Sequence, residues 1–156
     1  MSTNRHSPLP GSSRHQQPNI GILFRDLSQT VVRRVTAELA DAGFGDIRPA
    51  HTSVFQHIDA DGSRLTDLAE RAQISKQSMG YLVDYLEERG YLDRQPDPDD
   101  RRVTLICLTE RGWDEIRAAL AIIAQVEDEW AQLLGKTRMR ELRKTLHELR
   151  QHTEQA

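Results

Sequence analysis

Residues 65–89 read LTDLAERAQISKQSMGYLVDYLEER, and the spacing inside this stretch decides the fold. Leu65, Leu68, Ala69 and Ala72 recur at three- and four-residue steps and mark one brief helix. Met79, Leu82, Val83 and Leu86 mark a second, running from about Lys76 to Arg89, with Gly90 suited to end it. Between them lies only Gln73-Ile74-Ser75, a turn in which Ile74 can plug the corner and Ser75 can cap the next helix. Two short helices joined this tightly form a helix-turn-helix.

Two runs rich in Leu, Val, Ile and Tyr follow at once, "YLDRQ" and "VTLICLT", on either side of "PDPDDRR", residues 96–102. They read as strands of a hairpin whose tip is longer than the two-residue Asn-Gly turn that would suffice to reverse the chain. A helix-turn-helix with a polar-tipped hairpin is a winged helix-turn-helix. With its apolar stripe inward, the second helix turns Gln77, Gly80, Tyr81, Asp84 and Glu88 outward at 100° per residue, with Lys76 and Ser78 at the flanks. Its first outward turn is therefore uncharged or basic.

That distribution points to DNA. A recognition helix enters the major groove by its N-terminal end, so Asp84, Glu87 and Glu88 tilt away from phosphate. Gln77 has the amide geometry for adenine, Ser78 can reach a base or phosphate oxygen, and Tyr81 can donate to phosphate; Ser75 and Lys76 complete the candidate contacts on this helix. At the tip, Asp100 and Arg102 have the spacing to pair, which would hold Arg102 extended toward a minor groove, while Pro96 and Pro98 stiffen the approach and Arg101 faces phosphate or solvent.

The charge balance sharpens this expectation. The chain of 156 residues carries a formal charge of −3, and residues 63–112 hold eight Arg and Lys against ten Asp and Glu. Contact with a polyanion must then rest on placed cations rather than bulk attraction. The same balance sustains a competing reading, a winged-helix module that docks on protein without specific DNA binding. An enzyme finds no support, since the chain has no Gly-rich phosphate loop, nucleophile elbow or metal-ligand cluster.

The flanks are helical. Ile20, Leu23, Phe24, Leu27, Val31, Val35 and Leu39 form an amphipathic stripe that ends near "DAGFGD". "IRPAHTSVFQHIDADG" places Ile47, His51, Val54, Phe55 and Ile58 on a second helix of about three turns, opened by Pro49 and stopped at Asp61-Gly62. Thr109 caps a long helix whose stripe is Trp113, Ile116, Leu120, Ile123, Val126, Trp130 and Leu134. After Gly135 a last helix carries Met139, Leu142, Leu146 and Leu149. The fold expected is mainly α with a small β-wing. Residues 1–19 read as a disordered arm, and their Pro, Ser and Gln content lacks the apolar core of a secretory signal. With no apolar run long enough for a membrane span, the expected location is the cytoplasm.

A single cysteine, Cys107, excludes an intrachain disulfide and a Cys cluster for metal, and its expected place is a small residue packed in a strand. No cofactor or metal is expected. His51 lies on an otherwise apolar face, either as a core histidine satisfied by a neighbour or as a polar group in an effector site with Arg48, Phe55 and His57. As metal ligands His51 and His57 fail, because six residues place them about 240° apart around a helix.

The stretch LTDLAERAQISKQSMGYLVDYLEERGYLDRQPDPDDRRVTLICLTERG, residues 65–112, resembles the MarR family of transcriptional regulators. The wing pattern Asp100-Arg101-Arg102, followed by apolar residues and Leu-Thr-x-x-Gly, carries the resemblance, with support from "PAHTSVFQHI". It covers about residues 20–150. The resemblance implies one domain over 20–156, with residues 20–45 and 109–152 as dimerisation helices and 47–108 as the winged lobe. It further implies a homodimeric repressor on a palindromic operator of double-stranded DNA, often released by a small phenolic or aromatic ligand. Two departures stand out: Gly80 and Tyr81 occupy positions where many members carry a hydroxyl residue and then Arg, and the first helix lacks the cysteine of the peroxide-sensing branch.

Overall fold

The computed structural model describes residues 17–154. The arm expected at the N-terminus falls outside the described residues for positions 1–16. Six α-helices and one two-stranded sheet follow: α1 (Ile20–Leu39), α2 (Thr52–Phe55), α3 (Leu65–Arg71), α4 (Lys76–Glu88), β1 (Leu92–Pro96), β2 (Thr104–Leu108), α5 (Glu110–Leu134) and α6 (Lys136–Glu154). The mainly α architecture with a small β-wing is the one expected from the pattern.

Local chemistry sets the boundaries. Asn19 opens α1 by accepting from the Ile22 N–H at 3.0 Å, and Ser75 opens α4 by accepting from Ser78 N–H at the same distance. Gly90, with φ of 74°, ends α4 in the left-handed conformation that a side chain resists. The second helix is shorter than its apolar stripe suggested: Pro49–His51 form a 3-10 turn that leads into the single α turn of α2. The chain then leaves the helix, and His57 and Ile58 lie beyond it.

The core sits where α3, α4 and the wing meet the ends of α1 and α5. Leu68, Met79, Val83, Leu86 and Tyr91 are fully buried there with Val54 and Leu39. The inward stripe of α4 is as its spacing required, with Leu82 half-buried at the margin. The wing strands pair antiparallel in the register Leu92 with Leu108 and Pro96 with Thr104. Ser63 adds a bridge to the far side of β2, exchanging two backbone hydrogen bonds with Ile106 at 2.9 and 2.8 Å.

The Leu-Thr-x-x-Gly pattern has a packing explanation. Thr109 caps α5 by accepting from Gly112 N–H at 3.1 Å, while its own hydroxyl lies 2.6 Å from the Gly90 carbonyl. A Cβ at Gly112 would fall inside the Tyr91 carbonyl, so only glycine allows α5 to lie this close to the strand.

One polar cluster ties the lobes together. Asp46, in the link between α1 and α2, accepts from the Tyr91 hydroxyl at 2.6 Å through its carboxylate and from the Tyr85 hydroxyl at 2.9 Å through its carbonyl. Arg111 donates to the Tyr91 hydroxyl at 3.0 Å and stands 3.7 Å from the Asp46 carboxylate. Burial and the Asp46 hydrogen bond push the Tyr91 phenol up to about 12, so it remains a donor at neutral pH.

α5 departs from its expected stripe. The side toward this chain's core is Gly112, Glu115, Ile122 and Val126, whereas Leu120 is 59% exposed. Apolar residues thus occupy two sides of α5, and on the second Trp113, Ile116, Ile123 and Trp130 are half-buried and Leu120 is exposed. α1 repeats the situation, with Ile20, Leu23, Phe24 and Leu27 exposed, and α6 exposes Leu142, Leu146 and Leu149.

Candidate functional site

The turn between α3 and α4 holds its shape through backbone bonds from Gln73 to Glu70 and from Ile74 to Ala69, each 3.0 Å. Gln73 adopts φ of 54°, a left-handed conformation costly for a residue with a Cβ. This turn projects the start of α4 into solvent. Ser75, Lys76, Gln77, Ser78 and Tyr81 are all exposed there, with Tyr81 at 67%. The Gln77 amide donates to the Tyr81 hydroxyl at 3.2 Å, and the Ser75 and Ser78 hydroxyls are 2.8 Å apart. Ser75 therefore holds the helix start, while Lys76, Gln77, Ser78 and Tyr81 stand exposed over the first turn and a half of α4.

The acidic end of α4 is neutralised from the wing. Arg94 on β1 pairs with Asp84 at 2.6 Å and with Glu87. The negative charge that weighed against a polyanion is thus partly cancelled within the lobe.

The wing tip is a built loop. Asp97 donates its N–H to the Val103 carbonyl at 2.9 Å, Val103 donates to the Asp100 carbonyl at 2.8 Å, and the Asp97 side chain accepts from Asp99 N–H at 2.9 Å. Arg64, just before α3, stands 3.6 Å from the Asp97 carboxylate and ties the tip's base to the helical body. Beyond it, the Arg102 guanidinium makes a two-pronged contact with Asp100, 3.0 Å to each carboxylate oxygen, and its backbone N–H adds a third bond at 3.1 Å. Arg102 holds the Asp100 carboxyl below the usual carboxylate range, through its side chain first and its backbone second. The Arg102 side chain is nevertheless 90% exposed, and Arg101 beside it is exposed too. The arrangement offers an extended, oriented cation at the end of a braced loop.

The residues expected around an effector do not converge. His51 is buried, but it stacks on Tyr85 with ring centroids 4.3 Å apart and accepts from the Arg48 N–H at 3.1 Å. Burial, with help from Arg48 and Arg89, lowers its pKa and keeps it neutral. Arg48 is exposed, and His57 Nδ1 lies 2.7 Å from the Ser53 carbonyl. Of the four, Phe55 alone lines a cavity of about 220 Å³ between α1, α2 and α5.

That cavity contains a residue the sequence reading passed over. Glu115 lines it, is 4% exposed, and has an Oε2 without a hydrogen-bond partner. Burial alone pushes its carboxyl up to about 7. The signal was present in the chain: Gly112, Ala119, Ile122 and Val126 form a second stripe on α5, and Glu115 is the charged member within it.

Comparison with known proteins agrees with this geometry. Residues 46–103, from the α1–α2 link through the wing tip, match the sequence model of the MarR family. The HTH-type transcriptional regulator YdcH of Bacillus subtilis (strain 168) is 28% identical over 119 residues, which is 74% of this chain and 81% of YdcH. The crystal structure of CouR from Rhodococcus jostii RHA1 bound to p-coumaroyl-CoA is 28% identical and superposes with a TM-score of 0.65 over 84% of this chain and 91% of CouR. The transcriptional regulator Tm0710 from Thermotoga maritima is 27% identical, with a TM-score of 0.62 over 86% and 94% of the two chains. With its helix-turn-helix, braced wing and capped α5, the chain is similar to the MarR family of transcriptional regulators, whose sequence model its winged lobe matches.

Proposed function

We propose that the chain acts as a homodimeric repressor of a palindromic operator, with α4 of each protomer in a major groove and the wing in the flanking minor groove. The observation that carries this reading is Arg102, extended into solvent and oriented by a two-pronged bond to Asp100. A minor groove narrowed by A·T pairs concentrates negative potential and rewards such a side chain. Lys76, Gln77, Ser78 and Tyr81 supply the major-groove contacts, Ser75 supports the helix start, and Arg101 contacts phosphate.

The dimer follows from unsatisfied surface. The exposed Ile20, Leu23, Phe24 and Leu27 of α1 and Leu142, Leu146 and Leu149 of α6 exceed what a soluble monomer exposes singly, and a second copy covers them by symmetry. On this reading residues 20–45 and 109–152 serve dimerisation and residues 47–108 serve DNA binding. Two-fold symmetry in the protein asks for two-fold symmetry in the operator, and a dimer seated on a promoter excludes polymerase. CouR in complex with p-coumaroyl-CoA supports release by a small ligand, for which the cavity near Phe55 and Glu115 is the candidate seat in place of Arg48, His51 and His57.

The test is binding of the purified protein to duplexes from its own promoter region and to scrambled duplexes across a salt series. Selective binding with a steep salt slope is expected. Arg102→Ala should weaken operator binding roughly ten- to hundredfold, and Arg101→Ala should chiefly flatten the salt slope. Equal binding to scrambled duplex by the wild type would sink the reading and turn attention to a protein partner.

A further inference from the structure

The chemistry of the cavity between α1, α2 and α5 narrows the ligand that it can take. Val31, Val35, Leu39, Phe55, Ile116 and Ile123 give it an apolar wall. Among the described residues that line it, Glu115 is the one titratable group, and no Arg, Lys or His joins it. Arg34 and Arg48 lie on nearby elements but outside the lining, and Arg34 is engaged by Glu38 and Glu129 at 2.6 and 2.7 Å. Thr36 also lines the cavity, and its hydroxyl proton is already given to the Val32 carbonyl, which leaves its oxygen as an acceptor. Thr52 and Gln56 complete the polar side of the cavity, which therefore holds one acid and neutral groups and lacks a cation.

We propose that this cavity is an effector site for a small apolar amine, whose ammonium group pairs with the Glu115 carboxylate. The inference rests on the regulatory reading above and names the ligand class of its effector site. A carboxylic acid, in contrast, would meet a like charge with no counter-ion in the wall. Folding has already taken the Glu115 carboxyl out of water, so a bound ammonium supplies the missing partner without a second desolvation of the carboxylate. Because burial alone pushes that carboxyl up to about 7, it ionises readily near neutral pH, and an arriving cation favours the ionised form. Size agrees: a cavity of about 150 Å³ holds benzene, so 220 Å³ admits one ring with a short chain.

Isothermal titration without DNA tests the inference with three probes of one shape: phenethylamine, phenethyl alcohol and hydrocinnamate. At about pH 8, the amine should bind the wild type at least about tenfold more tightly than the alcohol, and the acid should bind most weakly. In Glu115→Gln the preference for the amine should collapse to about twofold or less. Equal binding of amine and alcohol to the wild type, tightest binding of the acid, or a preference that survives Glu115→Gln would each overturn the proposal. The wild-type series is decisive by itself if the variant fails to fold. Operator binding is measured separately by anisotropy of a labelled duplex. An amine preference without operator binding removes the regulatory reading and keeps the amine site, whereas operator binding without an amine preference removes only the amine site.

Discussion

Replacing Glu115 with Gln isolates the energetic consequence of a buried, unpaired carboxyl. The side chain keeps its shape and loses its charge. In the folded protein the carboxyl titrates at about 7 against an ordinary value of 4.5, so the folded state binds the proton more tightly than the unfolded chain. Stability contributed by the neutral form is fully present below the ordinary value and is lost as pH rises toward 7. The whole shift corresponds to about 3 kcal/mol, most of which falls between about pH 5 and pH 8. The advantage of Glu115→Gln over the wild type should therefore grow by about that amount across this window. Urea unfolding followed by far-UV circular dichroism measures it, at one fixed protein concentration so that any self-association is held constant. An advantage that stays constant with pH, or that grows toward acid, would refute the reasoning and mean that Glu115 is solvated or paired.

Three further outcomes follow from features elsewhere. Gly112→Ala forces α5 off the Tyr91 carbonyl, so a loss of about 2–4 kcal/mol is expected in thermal or urea unfolding, and a change under 1 kcal/mol would argue against the close approach. Gln73→Gly relieves the left-handed conformation at the turn before α4 and should stabilise by about 1 kcal/mol without altering operator affinity. Leu146→Glu places a charge in the exposed apolar row of α6 and should shift the protein from dimer to monomer in sedimentation, with circular dichroism unchanged; a wild type that sediments as a monomer would remove the dimer.

The lobe was more legible than the site. Short-range periodicity located α3 and α4, and the Asp100–Arg102 spacing foretold a pairing because both partners sit in one turn of chain. The helix carrying His51 is shorter than its stripe suggested, since Pro49 opens a 3-10 turn and a single α turn, Thr52–Phe55, follows it. Glu115 escaped notice because the larger stripe from Trp113 to Leu134 dominates α5, and which side of a two-sided helix faces its own core depends on α1. Arg94 escaped for a similar reason: its partners Asp84 and Glu87 lie on a different element, and only the tertiary fold reveals that the acidic face is balanced.

The Asp46 cluster gives the molecule its mechanical character. One short carboxylate side chain and its own carbonyl hold two tyrosines, one on α4 and one at the foot of the wing, and Arg111 at the start of α5 closes the ring. These short, half-buried bonds tie the link between α1 and α2 to α4, to the foot of the wing and to α5 at once. A displacement of α1 against α5 is then expected to carry α4 and the foot of the wing with it as one stiff arm, rather than to be absorbed at Asp46 as local bending.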